Sequence, residues 1–287
     1  MTTAFDWTYS AQTWFESIPS ERLAYAVVDM ANVHSEKRQV LRILRASGAL
    51  NILGDNRPEA EEAIPWLLPL TSQISTKRNF KLTLDLANRS ACVTWLASEL
   101  PPQALAQALN DRTQAELPDH YRILLRCYDP RVLSELLAVL GDDQAEQFWG
   151  MNGQWCYVDR TKQFKCIELQ APSQDALFEP PLLLTQEQTD QLLAAAEVDQ
   201  VMPELVRETP NAFLAIAPHE RAAITRQALR KADDYRLESF SDRVVFCILG
   251  LELGQDFDQS GQWPVLMRRV TARELTLTQA VTLATRP

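Results

Sequence analysis

The chain changes character near residue 175. On its N-terminal side, short apolar runs alternate with amphipathic helix patterns, whereas beyond it only helix patterns remain. Such a change restricts the fold to an α/β part followed by an all-α part. The 287 residues suffice for one large or two medium domains. The divide falls in a stretch where APSQDALFEPP brings three prolines and little periodicity. We therefore expect an α/β domain over residues 1–170, a linker over 171–181 and a helical domain over 182–287.

LAYAVVDM, residues 23–30, reads as a buried strand. Ser35 is placed to cap a helix that buries Val40, Leu41 and Leu44, faces Lys37, Arg38, Arg42 and Arg45 to water, and stops at Gly48. ALNILG is a second short strand. PEAEEAIPWLLPL contains Pro58, Pro65 and Pro69, which predicts broken turns and a short helix. ACVTWLASEL is a third strand, and Pro101 and Pro102 open a helix through Asn110. HYRILLRCY is a fourth strand, followed by a helix over 131–140 stopped by Gly141, then a short helix over 142–148. QWCYVDR and QFKCIEL, joined by a Thr-Lys turn, form a hairpin pattern. Strand and helix in repetition predict a mostly parallel or mixed sheet. Beyond the linker, Thr185 and Gln188 make a capping box, and helices are expected over 199–217, 218–235 and 241–253.

A net charge of −10 disfavours nucleic acid or an anionic membrane as partner. No run approaches the length of a membrane span, and MTTAFDWTYSAQTWF lacks the basic-then-apolar pattern of a secretory leader, so a cytoplasmic location is expected. Five scattered cysteines without a C-x-x-C pair are expected as buried free thiols. Eight glycines build no phosphate-cradling motif, and the nucleophile elbow is missing. His34, His120 and His219 have no metal-ligand spacing, so neither a metal nor a cofactor is expected. DFDQSG, residues 256–261, begins like a calcium loop, but its twelfth position is Met267, so it reads as a polar turn.

Candidate chemistry gathers at strand ends. Asp29 and Asp129 fall where α/β proteins bind ligands. Asp129 before Pro130 is also a strong helix N-cap, and Arg126 and Arg131 can pair with either carboxylate. Trp7, Trp14, Phe15, Phe148, Trp149 and Trp155 are aromatic anchors for a partner or, equally, for the core.

The order of these segments resembles the adaptor or chaperone family of bacterial type VI secretion, long catalogued as a domain of unknown function. YAVVD, ILGD, EEAIPWLLPL, WLASELPPQALAQAL, RILLRCYDPRVLSELLAVL and DDQAEQFWG carry the resemblance over residues 23–160. LGLELGQDFD extends it weakly into the helical part, and Cys127 departs from the family's usual aromatic. The resemblance implies a cytoplasmic, non-enzymatic protein. Its partners would be a secreted toxin effector and the valine-glycine-repeat spike onto which that effector is loaded, with no nucleic acid and no membrane insertion. Arg126, Tyr128, Asp129, Arg131, Asp29 and Trp155 would bind the partner or organise its site. Two alternatives stand beside it: a small-molecule enzyme using Asp29, Asp129 and Arg126 at the sheet edge, and an immunity protein binding the toxin domain.

Overall fold

The computed structural model describes residues 7–54, 60–70, 76–171 and 177–285. In chain order the elements of the first part are α1 (Trp7–Ser17), β1 (Leu23–Asp29), α2 (Lys37–Ala46), β2 (Leu50–Asn51), β3 (Pro65–Pro69), α3 (Thr76–Arg89), β4 (Val93–Ser98) and α4 (Pro102–Arg112). There follow β5 (Gln114–Glu116), β6 (Arg122–Leu124), α5 (Pro130–Val139), α6 (Asp142–Trp149), β7 (Gly153–Val158), β8 (Phe164–Leu169) and β9 (Leu182–Leu183). The remainder is helical: α7 (Gln186–Glu208), α8 (Pro210–Ala215), α9 (Arg221–Asp234), α10 (Phe240–Leu253), α11 (Trp263–Thr271) and α12 (Leu277–Ala284).

Six strands form one sheet in the order β2-β3-β1-β4-β7-β8. Every pairing in it is antiparallel, which corrects the expected parallel or mixed sheet. The physical reason lies in how the connections interlock. The β1–α2–β2 crossover returns a strand in the same direction, but β3 inserts between the two; β3–α3–β4 does the same around β1. Crossover helices therefore join strands that run alike but are not neighbours. Burial compounds the ambiguity. Val93–Ser98 is buried throughout and Leu23–Asp29 nearly so, because helices cover both faces of the sheet. A strand covered on both faces loses its polar-apolar alternation, whichever way its neighbours run.

Trp7, Trp14, Trp95, Phe80 and Leu44 belong to the core on one face, where α1, α2 and α3 pack. Tyr25, Leu105, Leu133, Phe148 and Trp155 belong to the core on the other, beneath α4, α5 and α6. Gly153 is required where β7 meets β4, because a Cβ there would lie 2.1 Å from the carbonyl oxygen of Ala97.

Several local expectations change. The proline-rich segment supplies β3, a strand inside the sheet with Pro65 and Pro69 at its two ends, where a missing amide is tolerated; residues 55–59 lie outside the described set. α2 begins after Glu36 in a left-handed conformation, and Ser35 does not cap it. HYRILLRCY yields only the three-residue β6, in a small separate sheet ordered β6-β5-β9. Cys156 and Cys166 are joined by a disulfide between β7 and β8, whereas Cys92, Cys127 and Cys247 are buried free thiols. The pair escaped the sequence reading because nothing in a ten-residue spacing says that the two strands oppose these cysteines.

By contact the chain separates into two compact units, Met1–Leu192 and Leu193–Pro287, and the division falls inside α7. The second unit has cores of its own, around Val198, Leu205, Phe213 and Val244, and around Phe246, Phe257, Trp263 and Met267. The Thr185–Gln188 capping box forms: each side chain meets the other residue's amide, at 3.2 and 3.0 Å.

Candidate functional site

The first unit carries a polar corner where the end of β1 meets the start of α5. Asp29 is the last residue of β1 and follows Tyr25 and Val27 on the face beneath α4 and α5. Asp129 is the N-cap of α5, accepting from the Arg131 amide at 2.9 Å, with Pro130 at the first helical position. Both aspartates are buried, at 1% and 2% exposure. Two buried carboxylates together are costly unless donors surround them.

Three side chains supply those donors. Arg126 donates to Asp29 and lies 3.9 Å from Asp129. Arg131 grips Asp129 with two parallel bonds, Nε to Oδ1 at 3.0 Å and Nη2 to Oδ2 at 2.7 Å. Asn32 links the two acids: its Nδ2 stands 3.0 Å from Asp29 Oδ2 and 3.0 Å from Asp129 Oδ2. The short helical turn Met30–Asn32 brings Asn32 there, and Asp29 caps that turn through the Ala31 amide at 3.1 Å.

The charges here are set by burial. Removal from water pushes the Asp29 carboxyl above its usual range, against the pull of Arg126, and the neighbouring Asp129 adds to the rise. For Arg126 burial works against the charge, but the two aspartates outweigh it and hold the guanidinium firmly protonated. The Tyr128 phenol is pushed well upward, by burial first and then by Asp29. Tyr128 is 2% exposed, whereas the Arg126 and Arg131 side chains keep about a third of their surface in water, 34% and 30%.

The structure thus brings Asp29, Arg126, Tyr128, Asp129 and Arg131 to one corner, as an organised ion-pair network. Trp155 is elsewhere: it is fully buried in β7, stacks edge-on with Trp149, and its indole N–H has no partner among the described residues. Trp7 and Trp14 are buried in core packing, as are Phe148 and Trp149. Asp256 and Asp258 of the DFDQSG turn are held by Lys231, at 2.7 and 3.4 Å, and Asp258 also by Tyr235 and Gln259.

Two residues of this unit were not anticipated. Asn32 carries the bridge between the carboxylates; its only sequence signal is an amide side chain three residues after Asp29. Arg112 is 4% exposed and donates to the carbonyl of Ala108 in its own helix at 2.9 Å and, at the C-terminal end of α6, to those of Phe148 and, at 3.3 Å, Gly150. Its guanidinium lies 4.9 Å from the Phe178 ring centroid. Burial lowers its pKa to about 10. The sequence at Arg112 resembles any solvated helix end, so no signal marked it.

Residues 24–147 match the family described as Domain of unknown function (DUF4123). The matched span runs from β1 into α6. It contains the whole Asp29–Arg131 network and leaves out Trp155 and the second unit. No curated protein and no solved structure matches the chain. No helix among the described residues is long and apolar enough to cross a membrane.

Proposed function

We propose that the protein is an adaptor that binds a type VI secretion toxin effector and promotes its loading onto the valine-glycine-repeat spike. The observation that carries the reading is the corner itself. Its two carboxylates are consumed by a helix cap and by guanidinium partners, which leaves arginines about a third exposed rather than an acid or base aimed at a substrate. A small-molecule enzyme using Asp29, Asp129 and Arg126 would need those groups to exchange protons with a ligand. Here Asp29 and Asp129 are buried and hydrogen-bonded within the fold. The family match over 24–147 and the order of motifs around RCYDPRVL support the same reading.

On this proposal the buried members, Asp29, Asn32, Tyr128 and Asp129, hold the corner, and Arg126 and Arg131 present it. Affinity capture from cells producing the effector encoded beside this protein tests it. Recovery of effector and spike protein with the native chain is the expected result. Capture of neither would sink the proposal, and capture of the isolated toxin domain alone would point to an immunity role.

A further inference from the structure

The disulfide between β7 and β8 joins a buried cysteine to an exposed one. Cys156 and Cys166 are directly opposed in the β7–β8 register, with Cα atoms 4.1 Å apart. Cys156 is fully buried and its other cross-strand neighbour is Trp95, whereas Cys166 lies on the sheet's edge strand and is exposed. The bond joins strands that a continuous ladder already holds over six register pairs, so it is not needed to bring them together. Exposed disulfides are the ones that exchange with thiols in solution.

What lies over the pair gives the exchange a consequence. Cross-strand partners share a face, so Cys166 points to the side of the sheet that α1 covers. Trp14 of α1 straddles the disulfide: its indole N–H donates to Gln154 at 2.8 Å, two residues before Cys156, and its ring lies 6.1 Å from Phe164, two residues before Cys166. Eleven residues make a marginal helix on their own, so α1 stays in place by packing. Beyond Trp14 its anchors are Trp7 on Trp95 and Phe15 stacked on Phe80. Along its other side a groove of about 780 Å³ opens towards α3, lined by Gln12, Phe15, Lys77 and Lys81 among others.

We propose that Cys166 is a thiol-modification site, at which a small thiol of the glutathione class opens the Cys156–Cys166 disulfide and thereby loosens α1. The incoming thiolate attacks Cys166 Sγ and forms a mixed disulfide there. The Cys156–Cys166 bond breaks, and Cys156 leaves as a thiolate that takes a proton from water. A second small thiolate attacks the small-molecule sulfur of the mixed disulfide, releasing the oxidised dimer and leaving Cys166 as a thiol. The protein gains two electrons and two protons, and two small thiols are oxidised to one disulfide. A peptide-sized adduct on Cys166 occupies the face where Trp14 sits between Gln154 and Phe164. The remaining cysteines do not compete: burial raises the thiols of Cys92, Cys127 and Cys247 to about 11, 12 and 12, which keeps them unreactive.

The test equilibrates the unsubstituted protein in glutathione buffers graded from reduced to oxidised, traps free thiols by alkylation, and maps peptides and α1 amide exchange. The expected result is a disulfide that gives way as reduced glutathione rises, with glutathione trapped on Cys166. Amide exchange in α1 then accelerates by up to about tenfold, the effect of losing one aromatic contact. In C156S glutathione sits on Cys166 in the oxidised buffers and is released in the reduced ones, and in C166S the exchange of α1 no longer responds to the buffer. A disulfide unchanged across all buffers would overturn the proposal. So would glutathione found on Cys156 or on the three buried thiols, or α1 exchange that is the same in every redox state. Both the titration and the exchange are read on the native chain, so a variant that fails to fold removes neither.

Discussion

At the end of β1, Asp29 is buried beside a second carboxylate; after α10, Asp258 is buried among donors. Each is 1–2% exposed and each sits at a short helical turn. Yet their acidities move in opposite directions. Burial and then Asp129 drive Asp29 upward despite Arg126. For Asp258 burial pushes upward too, but bonds from Gln259 and Tyr235, at 2.7 and 2.8 Å, together with Lys231, bring the carboxyl below its usual range. Two things differ: Asp29 loses more of its solvation than Asp258 does, and the ratio of acids to donors is higher around it. The first cluster shares Asn32 and two arginines between two acids, whereas the second spends a lysine, a phenol and an amide chiefly on one. A network that holds an extra buried charge costs stability, and on the proposed function that cost is the expected trade for outward-facing arginines.

The largest break in this comparison should come from removing a cation on each side. Arg126→Met leaves Asp29 buried without its charge partner and should cost about 2–4 kcal/mol, reduced from the fully buried case because Arg126 is a third exposed. Lys231→Met leaves Asp258 with two donors and should cost about 1–2 kcal/mol. Denaturant unfolding of the two variants checks the order; equal losses would mean that the donor ratio does not matter.

A finer test separates the two jobs of Asp129. Asp129→Asn keeps a good N-cap while removing the second charge, so Asp29 should titrate lower in that variant, as carboxyl carbon NMR would record. Asp129→Ala should lose about 1 kcal/mol more than Asp129→Asn, the worth of the cap. If Asp29 stays where it was, the neighbouring charge is not among the causes of its rise.

The smallest effects are in the pH dependence, and the two clusters should oppose each other. Asp29 is raised in the fold, so its contribution is fully present below the unfolded pKa of about 3.9 and is lost as pH rises through the folded value. Asp258 is lowered, so its contribution is present above about 3.9 and is lost as pH falls through the folded value. Asp258→Asn should therefore flatten the acid limb of the stability curve, and Asp29→Asn should flatten the limb above it. Matching slopes in the two variants would contradict the assigned directions.

Much of the corner is legible in the sequence. An aspartate followed by proline announces a helix start, and Arg126 and Arg131 on either side demanded acids; Asp29 and Asp129 were the acids at hand. The bridging Asn32 was not legible, because an amide gains that role only when the turn after β1 meets the start of α5, 97 residues along the chain. Nor was the Cys156–Cys166 bond, although the hairpin that creates it was expected, because the register of two strands is set by their turn and ladder rather than by the residues that end up opposite. α3, β5, α11 and α12 fell between the patterns that the sequence displays most clearly.

By itself the sequence determined which segments are apolar enough to be buried, where prolines and caps start helices, and that strands end before the last third of the chain. These are local properties, written within a turn or two of each residue. Direction and neighbourhood in the sheet were decided only by tertiary structure. β3 slips between β1 and β2, and β1 between β3 and β4, so that every ladder of the main sheet runs antiparallel although the crossovers read as parallel. Periodicity reports how deeply a strand is buried, and a strand covered on both faces reads the same whichever way its neighbours run.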